Sequence, residues 1–320
     1  TDALPEIEDL CFLEVPKFFS LKGSVVTPAM MLELSRAVQR VLIRPEVSGV
    51  VVTQPADNIE ETAYFVSISL SDVFQNQNSK PIVFTTCMNP EDPMFDGTKN
   101  LLDSIRVACH DVKGDIPTVV VCMNGEIHAA SRAQLTHTNK ASALASPGWG
   151  PVGYVDRDNV YFRCGALELD TGLNFPMLKK LTAKVPVVKA MCGDDGALLE
   201  MVLEKEPDAI IVEGFGRGNL PAGMMPAIKK AVKKGIFVVI STRASSGRVL
   251  DSTVFPGSVA QCLESGCLLA GETTTAKARL LLMYVLSQKE AIQLKKEDPE
   301  RFFAYVQECL DPVLTNRLFG

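Results

Sequence analysis

The chain has 320 residues, enough for two domains with complete hydrophobic cores. Its 47% hydrophobic and 22% charged residues are typical of a soluble globular protein. A formal net charge of -6 argues against nucleic acid as a partner, because phosphate binding needs clustered lysines and arginines. No apolar run approaches the roughly 20 residues of a membrane span, so we expect no membrane partner.

The nine cysteines are scattered along the chain, odd in number and without a CxxC pair. This pattern favours free thiols in a reducing compartment over a disulfide framework or a zinc site. No signal sequence is recognisable either, so we expect a cytoplasmic protein without a bound metal.

Short β-branched runs alternate with amphipathic stretches in the first half of the chain. The runs 48–53, 81–86 and 118–123 are apolar almost throughout, which predicts buried parallel strands. Thr27 followed by Pro28 predicts the start of a helix. The alternating pattern of 154–162 predicts a β-hairpin.

The second half repeats this alternation after a predicted connecting segment. We therefore predict an α/β fold of two domains, each built on a doubly wound and mostly parallel sheet. The expected boundaries are 1–170 for the larger first domain, 171–184 for the linker and 185–320 for the smaller second domain. The predicted strands are 186–190, 208–213 and 237–241, and the predicted helices are 222–234, 274–289 and 299–310.

The run from Val51 to Tyr64 carries the first motif, Val-Val-Thr-Gln-Pro-Ala-Asp-Asn-Ile-Glu-Glu-Thr-Ala-Tyr. A strand ends here, the chain turns, and a helix begins near Asp57. The backbone N–H groups at such a helix start, near Asn58, can bind a ligand carboxylate. The Asp57 carboxylate can either cap the helix or hold a ligand ammonium group, and both interpretations stay open.

Cys87 follows the second predicted strand, at the strand edge where the ligands of this topology gather. It is a candidate nucleophile, although a small buried apolar residue is the simpler interpretation. Further along, Glu126 and His137 are candidates for proton transfer. For the histidines at 128 and 137, a structural role in the core is the favoured interpretation.

The run 212–221 reads Val-Glu-Gly-Phe-Gly-Arg-Gly-Asn-Leu-Pro. A dinucleotide-binding fingerprint would need glycine at position 219, where Asn219 stands. We therefore expect no nucleotide cofactor, and nothing else in the sequence indicates a cofactor.

These runs, together with His128 to Thr138 and Ser146 to Pro151, resemble the bacterial-type L-asparaginase/glutaminase family in order and spacing. The resemblance implies the two-domain asparaginase fold, a small-molecule substrate or ligand, and a homodimer or tetramer. It also implies that Asp57 holds a substrate ammonium group and that Asn219 reaches a neighbouring subunit's pocket. The family's substrate-binding serine falls at Gly23, with Ser24 next to it.

The chain departs from the family at the positions that carry its chemistry. Ala56 stands where the family has a threonine hydroxyl, and Leu135 where it has a lysine that activates that threonine. Leucine has neither a proton to transfer nor a charge. The family's opening strand with its Thr-Gly-Gly-Thr-Ile turn also has no counterpart in this sequence.

Three hypotheses follow from these departures. The first is a diverged enzyme that acts on a small amino-acid-like amide or carboxylate by a mechanism other than Thr-Lys-Asp amide hydrolysis. The second is an inactive family member that serves as a ligand sensor or a partner subunit. The third is an asparaginase or glutaminase with a substitute mechanism. Release of ammonia from asparagine separates the third from the other two.

Overall fold

The computed structural model describes residues 6–16, 18, 25–75, 80–88, 96–110, 117–163, 174–250 and 252–311. The chain divides into two compact units, Thr1–Met177 and Leu178–Gly320. Part of the predicted linker and the candidate Ser24 lie outside the described residues.

The first unit combines helices with short strands. Its elements in chain order are α1 (Glu6–Leu10), α2 (Pro28–Leu42), β1 (Val50–Thr53), α3 (Ile59–Ser69), α4 (Ser71–Gln75), β2 (Ile82–Thr85), α5 (Gly97–Cys109), β3 (Val119–Met123), β4 (Glu126–Ala129), β5 (Gln134–Leu135), β6 (Leu144–Ala145), β7 (Gly153–Asp156) and β8 (Asn159–Phe162). Helix α2 begins where the sequence predicts, since the Thr27 hydroxyl accepts a hydrogen bond from the Met30 amide at 3.3 Å.

A six-stranded sheet in the order β1-β2-β3-β4-β7-β8 forms the centre of this unit. Strands β1, β2 and β3 run parallel, whereas β4, β7 and β8 join in antiparallel fashion. The sheet is therefore mixed. Strands β7 and β8 form the hairpin that the alternating pattern of 154–162 predicts. Strands β5 and β6 form a separate two-stranded hairpin.

Strand β3 is buried on both faces, as an almost entirely apolar strand must be. Val119 and Val121 pack with helices α2 and α3 on one side of the sheet. Val120 and Cys122 pack on the other side, where α5 contributes Val107. The parallel strands therefore lie between two helical layers.

The second unit contains β9 (Val187–Lys189), α6 (Ala197–Leu203), β10 (Ala209–Gly214), α7 (Met225–Lys233), β11 (Phe237–Thr242), α8 (Val259–Glu264), β12 (Leu268–Leu269), α9 (Thr275–Val285), α10 (Lys289–Glu297) and α11 (Pro299–Leu310). Its sheet has the order β12-β11-β10-β9 and is parallel throughout. The predicted α/β architecture is confirmed.

One predicted helix, 274–289, is shorter than expected. Helix α9 ends at Val285, and Gln288 adopts an extended conformation before α10. The Ser287 hydroxyl accepts hydrogen bonds from the backbone amides of Thr182 and Ala183, at 2.9 and 3.1 Å. These tertiary contacts accompany the break in the helix, and the helical periodicity of the sequence does not reveal them.

Among the residues that the structure describes, no helix has the length and apolar character needed to cross a membrane.

Candidate functional site

The carboxyl ends of β1, β2 and β3 lie side by side in the first unit. Ligands of open α/β sheets bind at this edge. The backbone amide of Gln54, just after β1, donates to the backbone carbonyl of Thr85 at the end of β2, at 3.2 Å. The segments that follow these strands therefore form the candidate site.

The first motif folds as a strand, a short turn and a helix. After Pro55 the chain makes a 3-10 turn over Ala56–Asn58, and α3 begins at Ile59. Asn58 occupies the position before α3, so Asp57 is not the cap residue of this helix. The Asp57 side chain is exposed at the site.

Gln54 fixes the shape of this turn. Its side-chain amide lies 3.3 Å from the Asn58 carbonyl oxygen Oδ1 and 3.3 Å from the Thr62 hydroxyl. The Thr62 hydroxyl in turn donates to the Asn58 backbone carbonyl at 3.1 Å. The Asn58 side chain is therefore engaged in holding the turn.

Leu135 lies on β5, which pairs with β6. Its backbone amide donates to the carboxylate of Glu60, in the first turn of α3. This contact fixes Leu135 beside the start of the helix that follows Ala56 and Asp57. The sequence motifs around Ala56 and Leu135 thus meet in the fold.

The loop after β2 is held by Asn100, a buried residue of α5. The Asn100 side chain donates to the Thr86 carbonyl at 2.9 Å and accepts from the Asn124 amide at 2.9 Å. One amide group therefore ties the end of β2 to the end of β3. This link keeps the segment that carries Cys87 in place.

Cys87 is partly buried after β2. Burial raises the pKa of its thiol, and the negative charge of Asp96 adds to the rise. A thiol with a raised pKa holds little thiolate at neutral pH, and the thiolate is the reactive form. The environment of Cys87 therefore does not activate it as a nucleophile.

Glu126 and His128 lie on β4, and His128 contacts Ser146, a partner that was not predicted from the sequence. His128 Nδ1 lies 3.0 Å from the Ser146 hydroxyl, and Nε2 lies 3.4 Å from a Glu126 carboxylate oxygen. The His128 imidazole thus lies between the Glu126 carboxylate and the Ser146 hydroxyl. His128 is only 1% exposed, however, and Ser146 only 4%. A substrate cannot reach a hydroxyl that is buried in this way.

Burial lowers the pKa of the His128 imidazole below its ordinary value of 6.5, and the Glu126 carboxylate opposes this effect. His128 is therefore neutral at pH 7. The geometry indicates a structural role, because Ser146 directly follows β6 and the contact attaches the β5–β6 hairpin to the main sheet.

His137 lies on the exposed loop that follows β5. Its Nδ1 accepts the backbone amides of Asn139 and Lys140, at 3.0 and 3.1 Å. One ring nitrogen is thus engaged in the loop's own turn. Glu126 pairs with His128 on β4, so the described contacts do not join His137, Glu126 and Cys87 into one catalytic group.

In the second unit, Asn219 also has a structural contact. Its side-chain oxygen accepts the Val259 amide at the start of α8, at 3.1 Å. The turn before it is tight, since a side chain at Gly218, whose φ is +104°, would lie 2.6 Å from Val249. The contact leaves the side-chain NH2 group as the part of Asn219 that a ligand could use.

A polar network at the strand ends of the second sheet was not predicted from the sequence. Thr275 donates to Glu213 at 2.7 Å and lies 2.9 Å from the Ser241 hydroxyl, while Lys189 lies 2.9 Å from Glu213. Each strand residue of this network stands at or near the carboxyl end of β9, β10 or β11. The position of polar residues at those ends was the available signal.

Among the described residues, no group of three or more histidine, cysteine or acidic side chains is arranged to hold a metal ion.

Comparison with known proteins gives consistent results over both units. Residues 1–166 match the family described as "Asparaginase, N-terminal", and residues 184–297 match "Glutaminase/Asparaginase C-terminal domain". L-asparaginase of Bacillus licheniformis is 30% identical over 91% of this chain and 89% of its own length.

Two further similarities extend the comparison. One of the subunits of the glutamyl-tRNA(Gln) amidotransferase of Pyrococcus horikoshii is 25% identical over 91% of this chain and 66% of its own length. The crystal structure of a probable cytoplasmic L-asparaginase from Campylobacter jejuni superposes with a TM-score of 0.81 at 26% identity, covering 95% of this chain and 91% of that one. The fold, the ordered motifs and these matches together show that this chain belongs to the asparaginase family.

Proposed function

We propose that this protein binds a small amino-acid-like amide or carboxylate at the carboxyl ends of β1–β3, and that it does not cleave amides by the Thr-Lys-Asp mechanism. Leu135 carries this proposal. Glu60 fixes its backbone beside the first turn of α3, and the family resemblance implies a proton-transferring lysine at this position. An aliphatic side chain can neither accept nor stabilise a proton there.

Ala56 supports the same proposal. It provides a methyl group where a hydroxyl would be needed, while the neighbouring Asp57 keeps an exposed carboxylate. Catalytic groups of this kind act as a unit, so the loss of one member costs several orders of magnitude in rate. Binding depends less on them: Asp57 can hold an ammonium group, and the amides near Asn58 can meet a carboxylate.

For this site we favour a non-catalytic ligand sensor or partner subunit over a diverged enzyme. The pKa of Cys87 is raised, and one nitrogen of His137 is engaged in its own loop. The similarity to a protein that is named as one subunit of an amidotransferase adds support for the partner role.

The second candidate is a diverged enzyme with an altered reaction on the same class of compound. Cys87 favours it, because this thiol follows β2 at the edge where ligands of α/β sheets bind. A bound substrate that brings a positive charge close to Cys87 would lower the pKa of the thiol and activate it.

We further propose a homodimer or tetramer that acts in the cytoplasm. The resemblance of the motifs to a family with intersubunit sites supports the assembly, and the similarity to a probable cytoplasmic enzyme supports the location.

Ammonia release from asparagine and glutamine tests the chemistry directly. We expect none above the uncatalysed background with the purified protein. Turnover at a rate comparable with that of the Bacillus licheniformis enzyme, assayed in parallel, would contradict our interpretation of Ala56 and Leu135.

A thermal-shift screen of small amino acids, amides and dicarboxylates tests the binding site. A ligand that raises the melting temperature of the wild type should bind at least about tenfold more weakly to Asp57→Asn, because a hydrogen bond to a charged group is lost. Asp156→Asn, at the exposed end of β7, is the matched control and should bind like the wild type.

Incubation of the bound ligand with the protein then separates the two candidates. Recovery of unchanged ligand supports the sensor, and conversion supports the diverged enzyme. Equal ligand affinity of the wild type and Asp57→Asn would show that Asp57 does not bind the ligand.

A further inference from the structure

Two cysteines from distant parts of the chain meet on the surface of the first unit. Helix α1 packs against α5. Cys11 directly follows α1 and continues its last turn, since its amide donates to the Ile7 carbonyl at 3.1 Å. Cys109 is the last residue of α5. The packing of α1 on α5 brings the two thiols close enough for Cys11 to act electrostatically on Cys109.

Solvent reaches this pair, unlike most cysteines of the described chain. Cys109 is exposed, and Cys11 is partly exposed, as is Cys87, whereas four other described cysteines are buried: Cys122, Cys262, Cys267 and Cys309. Cys192 is exposed on the second unit. A reagent in solution can therefore reach both members of the Cys11–Cys109 pair without unfolding of the protein.

The segment that carries Cys11 has limited burial of its own. Ile7 is buried, but Phe12 is 99% exposed and Val15 76% exposed. On the far side of Cys11, Glu14 pairs with Arg44 at 2.9 Å. That ion pair is on the surface, and surface ion pairs add little stability. A covalent link at Cys11 would therefore change how firmly the segment is held.

We propose that Cys11 and Cys109 form a dithiol site that small disulfides or peroxides oxidise reversibly to an intramolecular disulfide. The disulfide would attach the segment that carries α1 to the end of α5. It would close a loop of about 100 residues, a size for which the entropy lost by the unfolded chain is large.

With a small disulfide as oxidant, the reaction has two steps. The Cys11 thiolate attacks one sulfur of the reagent, forms a mixed disulfide and releases one thiol after protonation. The Cys109 thiol then gives its proton to solvent, attacks the Cys11 sulfur and releases the second thiol. The protein loses two hydrogens and two electrons, and the reagent is reduced to two thiols.

The order of the two steps follows from the environment of Cys109. Partial burial, and after it the charge and hydrogen bond of Cys11, raise the pKa of the Cys109 thiol to about 11. Cys109 therefore stays protonated at neutral pH and serves as the second, resolving thiol.

The test is oxidation of the full chain with oxidised glutathione, followed by intact mass and peptide mapping. We expect a loss of about 2 Da, the two hydrogens of the balanced reaction, a cross-linked peptide containing Cys11 and Cys109, and full recovery of the original mass with a thiol reductant. Cys11→Ser and Cys109→Ser should each abolish this loss of mass, and Cys109→Ser should instead keep a mixed disulfide of glutathione with Cys11. Cys192→Ser, the exposed control, should behave like the wild type.

Limited chymotrypsin digestion gives a second readout that needs no variant. Cleavage after the exposed Phe12 should release the N-terminal peptide from the reduced protein. In the oxidised protein the same peptide should stay attached until reductant is added. Free release from the oxidised protein would overturn the proposal, and so would a cross-linked peptide that joins other cysteines in place of this pair.

Discussion

At the scale of single residues, the candidate site has no hydroxyl at Ala56 and no ammonium group at Leu135. The Leu135 amide bonds to Glu60 and the Ala56 carbonyl accepts the Ile59 amide, so these contacts near the start of α3 do not use the side chains of Ala56 and Leu135. A lysine and a threonine could be replaced there without unfolding the site. Retention of the fold with the substitutions proposed to remove the chemistry is therefore physically straightforward at these positions.

His128 gives a prediction about pH. Burial lowers the pKa of its imidazole in the folded state, so the unfolded chain binds a proton first as the pH falls through 6.5. Stability should therefore decrease from about pH 7 downward, by at most about 1.4 kcal/mol per pH unit from this group, until the folded-state pKa is reached. Above about pH 7.5 His128 should contribute no slope, because it is neutral in both states.

Urea unfolding of the wild type and of His128→Gln between about pH 7.5 and about pH 5 measures this effect. The variant should be less stable at the upper end of this range but should lose less stability on acidification. Parallel pH curves for the wild type and His128→Gln would show that His128 does not titrate as proposed.

At the scale of elements, the β5–β6 hairpin links the sequence motifs. Glu60 on α3 holds the Leu135 amide, and His128 on β4 contacts Ser146 just after β6. A two-stranded hairpin of this size has little stability of its own. The surrounding side chains therefore determine where Leu135 lies.

The packing of β1 against α5 gives a prediction at the same scale. A Cβ atom added at Gly49, just before β1, would lie 2.2 Å from the Ala108 carbonyl oxygen. Backbone must move to relieve such a clash, and overpacking of this kind costs about 1–3 kcal/mol or more. Gly49→Ala should therefore lower the urea midpoint clearly.

Gly235→Ala is the control for this variant. Gly235 has a φ of +73° but faces open space, so the substitution brings backbone strain without a clash. The free energy of unfolding should fall by about 1–2 kcal/mol, the cost of placing one alanine in the left-handed region. A loss for Gly49→Ala of less than about 1 kcal/mol would mean that the close approach of β1 to α5 is not rigid.

At the scale of the whole molecule, the proposed assembly is the main prediction. Light scattering at micromolar concentration should give the mass of two or four chains, because the motifs resemble a family whose sites lie between subunits. Asn219→Ala removes both its contact with α8 and the group proposed to reach a partner's pocket. We expect this variant to bind ligand more weakly while keeping the oligomeric mass. A monomeric mass for the wild type would contradict the proposed assembly.

Much of the fold could be predicted from the sequence, because strand burial leaves a local pattern. The apolar runs 48–53, 81–86 and 118–123 correspond to β1, β2 and β3, since a strand covered on both faces must be apolar throughout. The break between α9 and α10 could not be predicted, because Ser287 meets Thr182 and Ala183 from a distant part of the chain.

Some residues of the candidate site could likewise be predicted from the sequence, and others could not. The ordered motifs identified Asp57, Ala56 and Leu135, because the residues of one motif are neighbours in the sequence. Ser146 was not identified as a partner of His128, because a buried contact between β4 and the segment after β6 has no fixed spacing. The network around Glu213 was missed for the same reason.

The sequence by itself determined the α/β class, the asparaginase family and the absence of a hydroxyl and an ammonium group at positions 56 and 135. These properties depend on residue type and local order alone. Only the tertiary structure decided that Glu60 fixes Leu135 beside α3, that His128 is buried and that Cys11 meets Cys109. Contacts between residues far apart in the chain arise from packing of the elements, and residue type alone does not specify them.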